Sequence, residues 1–279
     1  MSLAPRVAVV IPCRDDAEFL EACLVALAAQ DRPADRVIVI DNGSTDASAA
    51  VARAHGAEVF VEDVVGIWPA AARGYDEAVL DCDIIARVDA DSRPHPDWIS
   101  RIVRAFVADP ALGALTGSAE FYGAGPVVRY LGAKWYIGGM YFWVTPWLGH
   151  PPVFGSNFAM RRALWVRVRD EVDRANAAIH DDLDLSIHLR RADGVRYDPT
   201  LRMPVSARPF ATHGALWRRV GRVIPTFAAS WPVGAAWRRE RPTLERQDTR
   251  GENRAEVLDE GDEWARASVV ELSRTSGSA

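Results

Sequence analysis

Two aspartates one residue apart, Asp89 and Asp91, follow directly on the apolar run Ile84-Ile85-Ala86-Arg87-Val88. A similar run upstream, Val37-Ile38-Val39-Ile40, also ends in acid, at Asp41. Side chains two apart on an extended chain point the same way, so Asp89 and Asp91 are expected to converge on one cation if strand geometry persists through them. Carboxylates so placed suit a hard divalent ion and the phosphates it would neutralise. The spacing alone is weak: with 38 acidic residues in 279, acid-x-acid arises roughly five times by chance. Its position after a buried strand is what singles it out.

The elements that must position these groups alternate. Apolar runs and helical spacing predict strands at 7–11, 37–40, 58–61 and 84–88, interleaved with helices at about 17–29, 46–55, 70–79 and 97–108. Such βαβα order requires crossover connections, hence an α/β fold with a mainly parallel sheet, helices on both faces, and ligands at the carboxyl ends of the strands. Each strand end meets a polar loop: Pro12-Cys13-Arg14-Asp15-Asp16, Asp41-Asn42-Gly43-Ser44 and Asp89-Ala90-Asp91. Asp46 and Pro96-Asp97 stand where helices begin. Past residue 110 the alternation fades, and 112–155 is expected to be a sheet extension with acceptor-facing segments. A helix is expected at 181–191 and a short strand at 195–197. The sequence after about Arg238 is of mixed charge with few apolar residues, so 239–279 reads as a mobile tail beside a domain of 1–238, with halves 1–110 and 111–238.

Composition narrows the classes. At 49% hydrophobic and 25% charged the chain is ordinary globular material, and a net charge of −5 argues against a general nucleic-acid binder. Cys13, Cys23 and Cys82 show no metal spacing, and an odd count argues against a full disulfide framework. The first residues lead straight into a strand without a basic-then-apolar leader, so a cytoplasmic location is expected. Two aromatic segments, 127–148 and 216–237, are interrupted by Arg, Lys, Gly and Pro and make poor membrane spans. Their aromatics are expected in the core and in the walls of an acceptor pocket; peripheral contact with a membrane is the alternative.

Taken together, Val9-Val10-Ile11-Pro12, Asp41-Asn42-Gly43-Ser44-Thr45-Asp46, Ala72-Arg73, Asp89-Ala90-Asp91, Gly155-Ser156-Asn157 and Asp181-Asp182-Leu183-Asp184 resemble the family 2 glycosyltransferases in order and spacing. The resemblance runs over about residues 7–210. It implies a GT-A fold, a Rossmann-like sheet with an acceptor-side extension, and a nucleotide-sugar donor of the UDP, GDP or dTDP type. By that resemblance Pro12, Cys13 and Asp41 hold the base, Asp89 holds ribose or a metal-bound water, and Asp91 ligates Mg²⁺ or Mn²⁺ bridging the donor phosphates. His213 is the implied third ligand. Asp16 stands where the family usually has Glu, a shorter reach towards ribose, and Asp15 offers a helix cap instead. Asp182, with Asp181 in place of the family's Glu, is the implied general base, at a helix start whose N–H groups favour an anion. Without the family pattern nothing sets Asp182 apart from Asp181 and Asp184, since Asp at a helix start is ordinary capping.

Arg73 and Arg208 are candidate phosphate partners because guanidinium offers forked donors. Gly155, Ser156 and Asn157 belong on the acceptor side by the same resemblance, and Trp68, Trp135 or Trp143 offers a face for sugar stacking. The expected activity is inverting, metal-dependent transfer of a sugar to the hydroxyl of a saccharide or lipid-linked acceptor. The alternatives are a non-catalytic nucleotide-binding scaffold and a sugar nucleotidyltransferase; the latter wants a Gly-rich loop with a cation after the first strand, and residues 12–20 hold neither Gly nor Lys. A dinucleotide-binding Gly-x-Gly-x-x-Gly loop is missing too.

Overall fold

β1 (Val7–Cys13) is buried at every position and sets the architecture. Val7, Val9 and Ile11 face one layer, while Ala8 and Val10 face the other. Burial on both faces is what parallel strands covered by crossover helices require, and it explains the unbroken apolar run. α1 (Ala17–Ala28) follows, then β2 (Arg36–Asp41), α2 (Ser48–Ala54), β3 (Glu58–Val61), α3 (Ile67–Ala78), β4 (Ile84–Arg87) and α4 (Trp98–Ala108). α1 and α4 cover the first face through Leu20, Leu24, Ile102 and Phe106. α3 covers the other through Trp68, Ala71 and Tyr75. The computed structural model describes residues 4–176, 178–208 and 221–229.

The second half continues with β5 (Ala114–Tyr122), α5 (Pro126–Leu131), a π-helical stretch Gly132–Ile137, α6 (Gly138–Leu148), β6 (Phe158–Arg161), α7 (Arg162–Val168), α8 (Asp181–His188), β7 (Val195–Ser206) and α9 (Val223–Ala229). The described strands form one sheet in the order β3-β2-β1-β4-β6-β5-β7. β6 runs antiparallel to both neighbours, with Phe158 opposite Arg87 at the end of β4. The segment entering β6 is thereby delivered to the mouth of the parallel strands.

Three expectations change. Strand geometry stops at Arg87, and a turn in which Ser92 N–H donates to the Asp89 carbonyl at 3.0 Å replaces it, so Asp89 and Asp91 do not share a strand face. Only the first part of 112–155 extends the sheet; 126–148 is helical, with Pro126 in the first turn of α5, where its missing N–H costs nothing, and Pro146 near the end of α6. The expected strand at 195–197 runs on to Ser206 through a register shift opposite Gly117 and Ser118. His213 and the tail from 239 lie outside the described residues.

Candidate active site at the carboxyl ends of the strands

The loops after β1 and β2 are tied to each other before they offer anything to a ligand. Asp15, with a left-handed φ of 50°, accepts from Thr45 N–H at 2.7 Å and from its hydroxyl at 3.1 Å. These bonds hold its pKa below the usual carboxylate range. Asp46 accepts from Ala17 N–H at 3.0 Å and from Ser48 N–H at 2.9 Å, serving the first turns of both α1 and α2. Asp15 is thus a brace between loops, not the helix cap anticipated. Gly43, at φ 75°, lets the chain turn so that the Asp41 carboxylate accepts from Ser44 N–H at 3.0 Å. Asn42 pins the next loop, donating to the Glu62 and Val64 carbonyls at 2.8 Å each and accepting from Gly66 N–H at 2.7 Å.

A cavity of about 320 Å³ opens between these loops, lined among others by Pro12, Cys13, Asp16, Asn42, Asp89, Asp91 and Arg208. Asp41 stands beside it; Asn42, one residue on, makes that part of the wall. Burial pushes the Cys13 thiol up to about 11, so it stays protonated. Arg208 grips Asp16 through two bonds, at 2.5 and 3.0 Å, and reaches Asp91 at 3.1 Å, with its guanidinium 4.0 Å from the Phe19 ring. Arg73 does not line the cavity: it pairs with Glu77 at 2.7 Å and lies over the Phe60 ring. The i,i+4 spacing of Arg73 and Glu77 was the sequence signal for that pairing.

Behind the cavity lies a buried charge cluster that the sequence reading left out. Arg87, on the last residue of β4, is 1% exposed and bonds Asp181, with a second contact to Asp89 at 3.1 Å. Asp89 also accepts from the Ser156 hydroxyl at 2.5 Å, and Gly155 N–H donates to Asp182 at 3.2 Å. Gly155-Ser156 therefore couples Asp89 to Asp182. A Cβ on Gly155 would come within 3.2–3.3 Å of the Arg87 guanidinium, which is already held from three sides. A charged residue inside an otherwise apolar strand is the signal that the sequence carried for Arg87 and that went unused, since a buried cation requires partners.

The three aspartates of α8 take different tasks. Asp181 neutralises Arg87, and Asp184 accepts from the Trp68 indole N–H at 2.9 Å and from Asp173 N–H at 3.0 Å. Asp182 is directed to Gly155, and its pKa is raised, first by desolvation and then by the neighbouring Asp181 carboxylate. A half-buried carboxylate that holds its proton more firmly than usual is a competent general base once ionised. Asn157 is fully buried: it donates to the Ser118 and Leu201 carbonyls at 2.9 and 2.7 Å and accepts from Trp98. Its amide braces the sheet. Trp68 is core, while Trp135 and Trp143 are each 70% exposed, so neither of these two lies in the core.

The donor set suits a hard cation. Asp16, Asp89 and Asp91 bring carboxylate oxygens to one cavity, and the Arg208 guanidinium already supplies positive charge against two of them. Among the described residues no three acidic, His or Cys side chains converge closely enough to hold an ion by themselves.

The sequence pattern described as Glycosyl transferase family 2 matches residues 8–166, more than half of the chain. The chain belongs to glycosyl transferase family 2. This family 2 chain is 31% identical to glycosyltransferase AglE of Haloferax volcanii over 128 residues, 43% of the chain and 41% of AglE. It is 42% identical over 85 residues to the uncharacterized glycosyltransferase Rv0539 of Mycobacterium tuberculosis, 30% of the chain and 36% of the relative. The chain spans less than half the length of these curated relatives. Its fold matches a mannosyltransferase from Pyrobaculum calidifontis in complex with GDP-Man and Mn²⁺ (TM-score 0.61, 20% identity, 82% of this chain and 65% of that one). It also matches glucosyl-3-phosphoglycerate synthase from Mycobacterium tuberculosis with Mn²⁺, UDP and phosphoglyceric acid (TM-score 0.57, 22% identity, 81% and 78%). The architecture is accordingly of GT-A type.

Proposed function

We propose that the protein is an inverting glycosyltransferase that moves a sugar from a nucleoside-diphosphate donor to the hydroxyl of a saccharide or lipid-linked acceptor, in the cytoplasm or at the inner face of the membrane. The observation that carries the proposal is the chain of contacts from the cavity carboxylates through Ser156 and Gly155 to Asp182. Pro12 and Cys13 flank the base, and Asp16 faces ribose. Asp91 and Asp89 would hold Mg²⁺ or Mn²⁺, with His213 a candidate third ligand. The ion would neutralise the diphosphate as the sugar bond breaks.

Arg208 is well placed to turn from Asp16 and Asp91 onto a phosphate, since a guanidinium serves carboxylate and phosphate alike. Asp182 takes the proton of the acceptor hydroxyl as its oxygen attacks the anomeric carbon. Gly155 N–H orients that carboxylate. In this scheme 1–110 serves the donor, 111–238 serves the acceptor, and 239–279 is an appendage.

Among solved relatives of this fold, complexes hold UDP, UDP-glucose or GDP-mannose, which favours those nucleotides over dTDP. A thermal-shift series with UDP, GDP and dTDP sugars, with and without Mn²⁺, tests the proposal, because a ligand at 100 times its Kd adds about 2.7 kcal/mol of stability. One nucleotide should raise the melting temperature only when the metal is present. No response to any of them would return the protein to the scaffold reading.

A further inference from the structure

The surface that sugar transfer leaves unexplained is carried by residues 126–148. α5 buries none of its side chains, leaving Val127, Tyr130 and Leu131 exposed. α6 buries only Tyr141 and Leu148; Trp135, Phe142 and Trp143 are each 70% exposed and Trp147 is 64% exposed. Large aromatics held in water carry a free-energy cost that a soluble surface rarely keeps without an occupant.

Charge identifies the occupant. Residues 121–169 contain no Asp or Glu, a run of 49 in a chain where about one residue in seven is acidic. Within this run the exposed helices carry Arg129 and Lys134. Both line a groove of about 650 Å³ between these helices and β5 and β7. Among the described residues Glu120 is the groove's one acid, and Arg202 and His95 hold it at 3.1 and 3.7 Å. Lys134 donates to Tyr130 at 3.0 Å, so a cation and an amphipathic ring stand side by side. Tyr and Trp bodies beside Lys and Arg, with acids excluded, match the boundary between lipid headgroups and acyl chains. No described helix is long and apolar enough to cross a membrane.

We infer that the 126–148 face docks on an anionic lipid bilayer, its aromatics entering the headgroup layer and Arg129 and Lys134 meeting lipid phosphates. The inference rests on the proposed placement at the inner membrane face and adds the surface that would hold the protein there. A second copy of the chain fits the apolar part but not the cationic one, since two such faces would bring Arg129 and Lys134 against their own kind.

Flotation of the full chain with vesicles of phosphatidylglycerol and phosphatidylcholine in equal parts, and with phosphatidylcholine alone, tests it. The chain should float with the anionic vesicles and be released by about 0.5 M salt, which screens the charge component. Arg129→Glu with Lys134→Glu should lower the bound fraction at least tenfold, as roughly fivefold per surface charge predicts. Trp135→Ser, Phe142→Ser and Trp143→Ser together should abolish flotation while leaving the melting temperature and Mn²⁺-dependent UDP binding unchanged. No flotation, or flotation that survives either set of changes, overturns the inference. So does a doubled mass in solution that the triple variant reduces to monomer without any vesicle binding. Flotation without nucleotide binding would sink the transferase proposal and leave the docking surface standing.

Discussion

The loops around the cavity and the helices of 126–148 handle polar and apolar groups in opposite ways. Around the cavity nearly every short polar side chain is spent on fixing backbone: Asp15, Asp46 and Asn42 between them tie three loops together, and Arg87 is sealed under Asp89 and Asp181. In the helical excursion large apolar side chains are left without protein cover. The first region is pre-organised at the expense of burying charge; the second leaves apolar surface exposed. Electrostatic work on a departing diphosphate needs donors and acceptors that do not move, whereas a docking surface needs only a face.

That contrast breaks first at Asp182. Asp182→Asn should reduce transfer by about 10²–10⁴-fold, the range for loss of a general base, with donor affinity within twofold by calorimetry. A variant that keeps its rate would make Asp182 a structural residue and revive the scaffold. Next comes Arg87→Met, which strands Asp181 and Asp89 and should cost about 3–5 kcal/mol in urea denaturation, as breaking one side of a buried pair does. A cost near zero would show that the cluster is hydrated. Asp91→Asn should weaken UDP binding by about 10–100-fold in Mn²⁺ and hardly at all after chelation, on the scale by which disturbed ligand shells lose metal. Equal loss in both conditions would assign Asp91 to the nucleotide instead.

A smaller effect concerns pH. The folded protein raises the pKa of Asp182, so it holds that proton to higher pH than the unfolded chain does. The associated stability is fully present below the unfolded value, about 4, and is lost as pH rises through the folded one. Asp182→Asn, free of this loss, should melt a few degrees above the parent at about pH 8 and converge with it towards pH 4. The least change is expected at the other pole: Trp143→Ser alone should alter stability by no more than about 0.5 kcal/mol, because the ring packs mainly against Phe142 and water.

The strands of the first half were legible because parallel strands buried on both faces must be Val- and Ile-rich, and their carboxyl ends had to carry the polar loops. Asp16, Asp89 and Asp91 were legible as charged groups at those ends, and Arg208 only as a candidate phosphate partner. Their mutual arrangement was not: whether Asp89 and Asp91 share a face depends on where β4 stops, and Arg87 finds Asp181 across 94 positions of chain. Asn157 was read by its neighbours in the motif, yet its amide is consumed by two carbonyls and an indole from distant elements. The helices of 126–148 escaped because Gly, Pro and basic residues interrupt their apolar run and leave no clear period to detect.

Arg208 closes on Asp91 from 117 positions downstream. At translation speeds of about 5–20 residues per second, about 6–23 seconds separate the emergence of the two from the ribosome. Until then Asp16 and Asp91 stand in an unfinished cleft, and a product cut short before β7 would keep the cavity loops without the guanidinium that pairs with both.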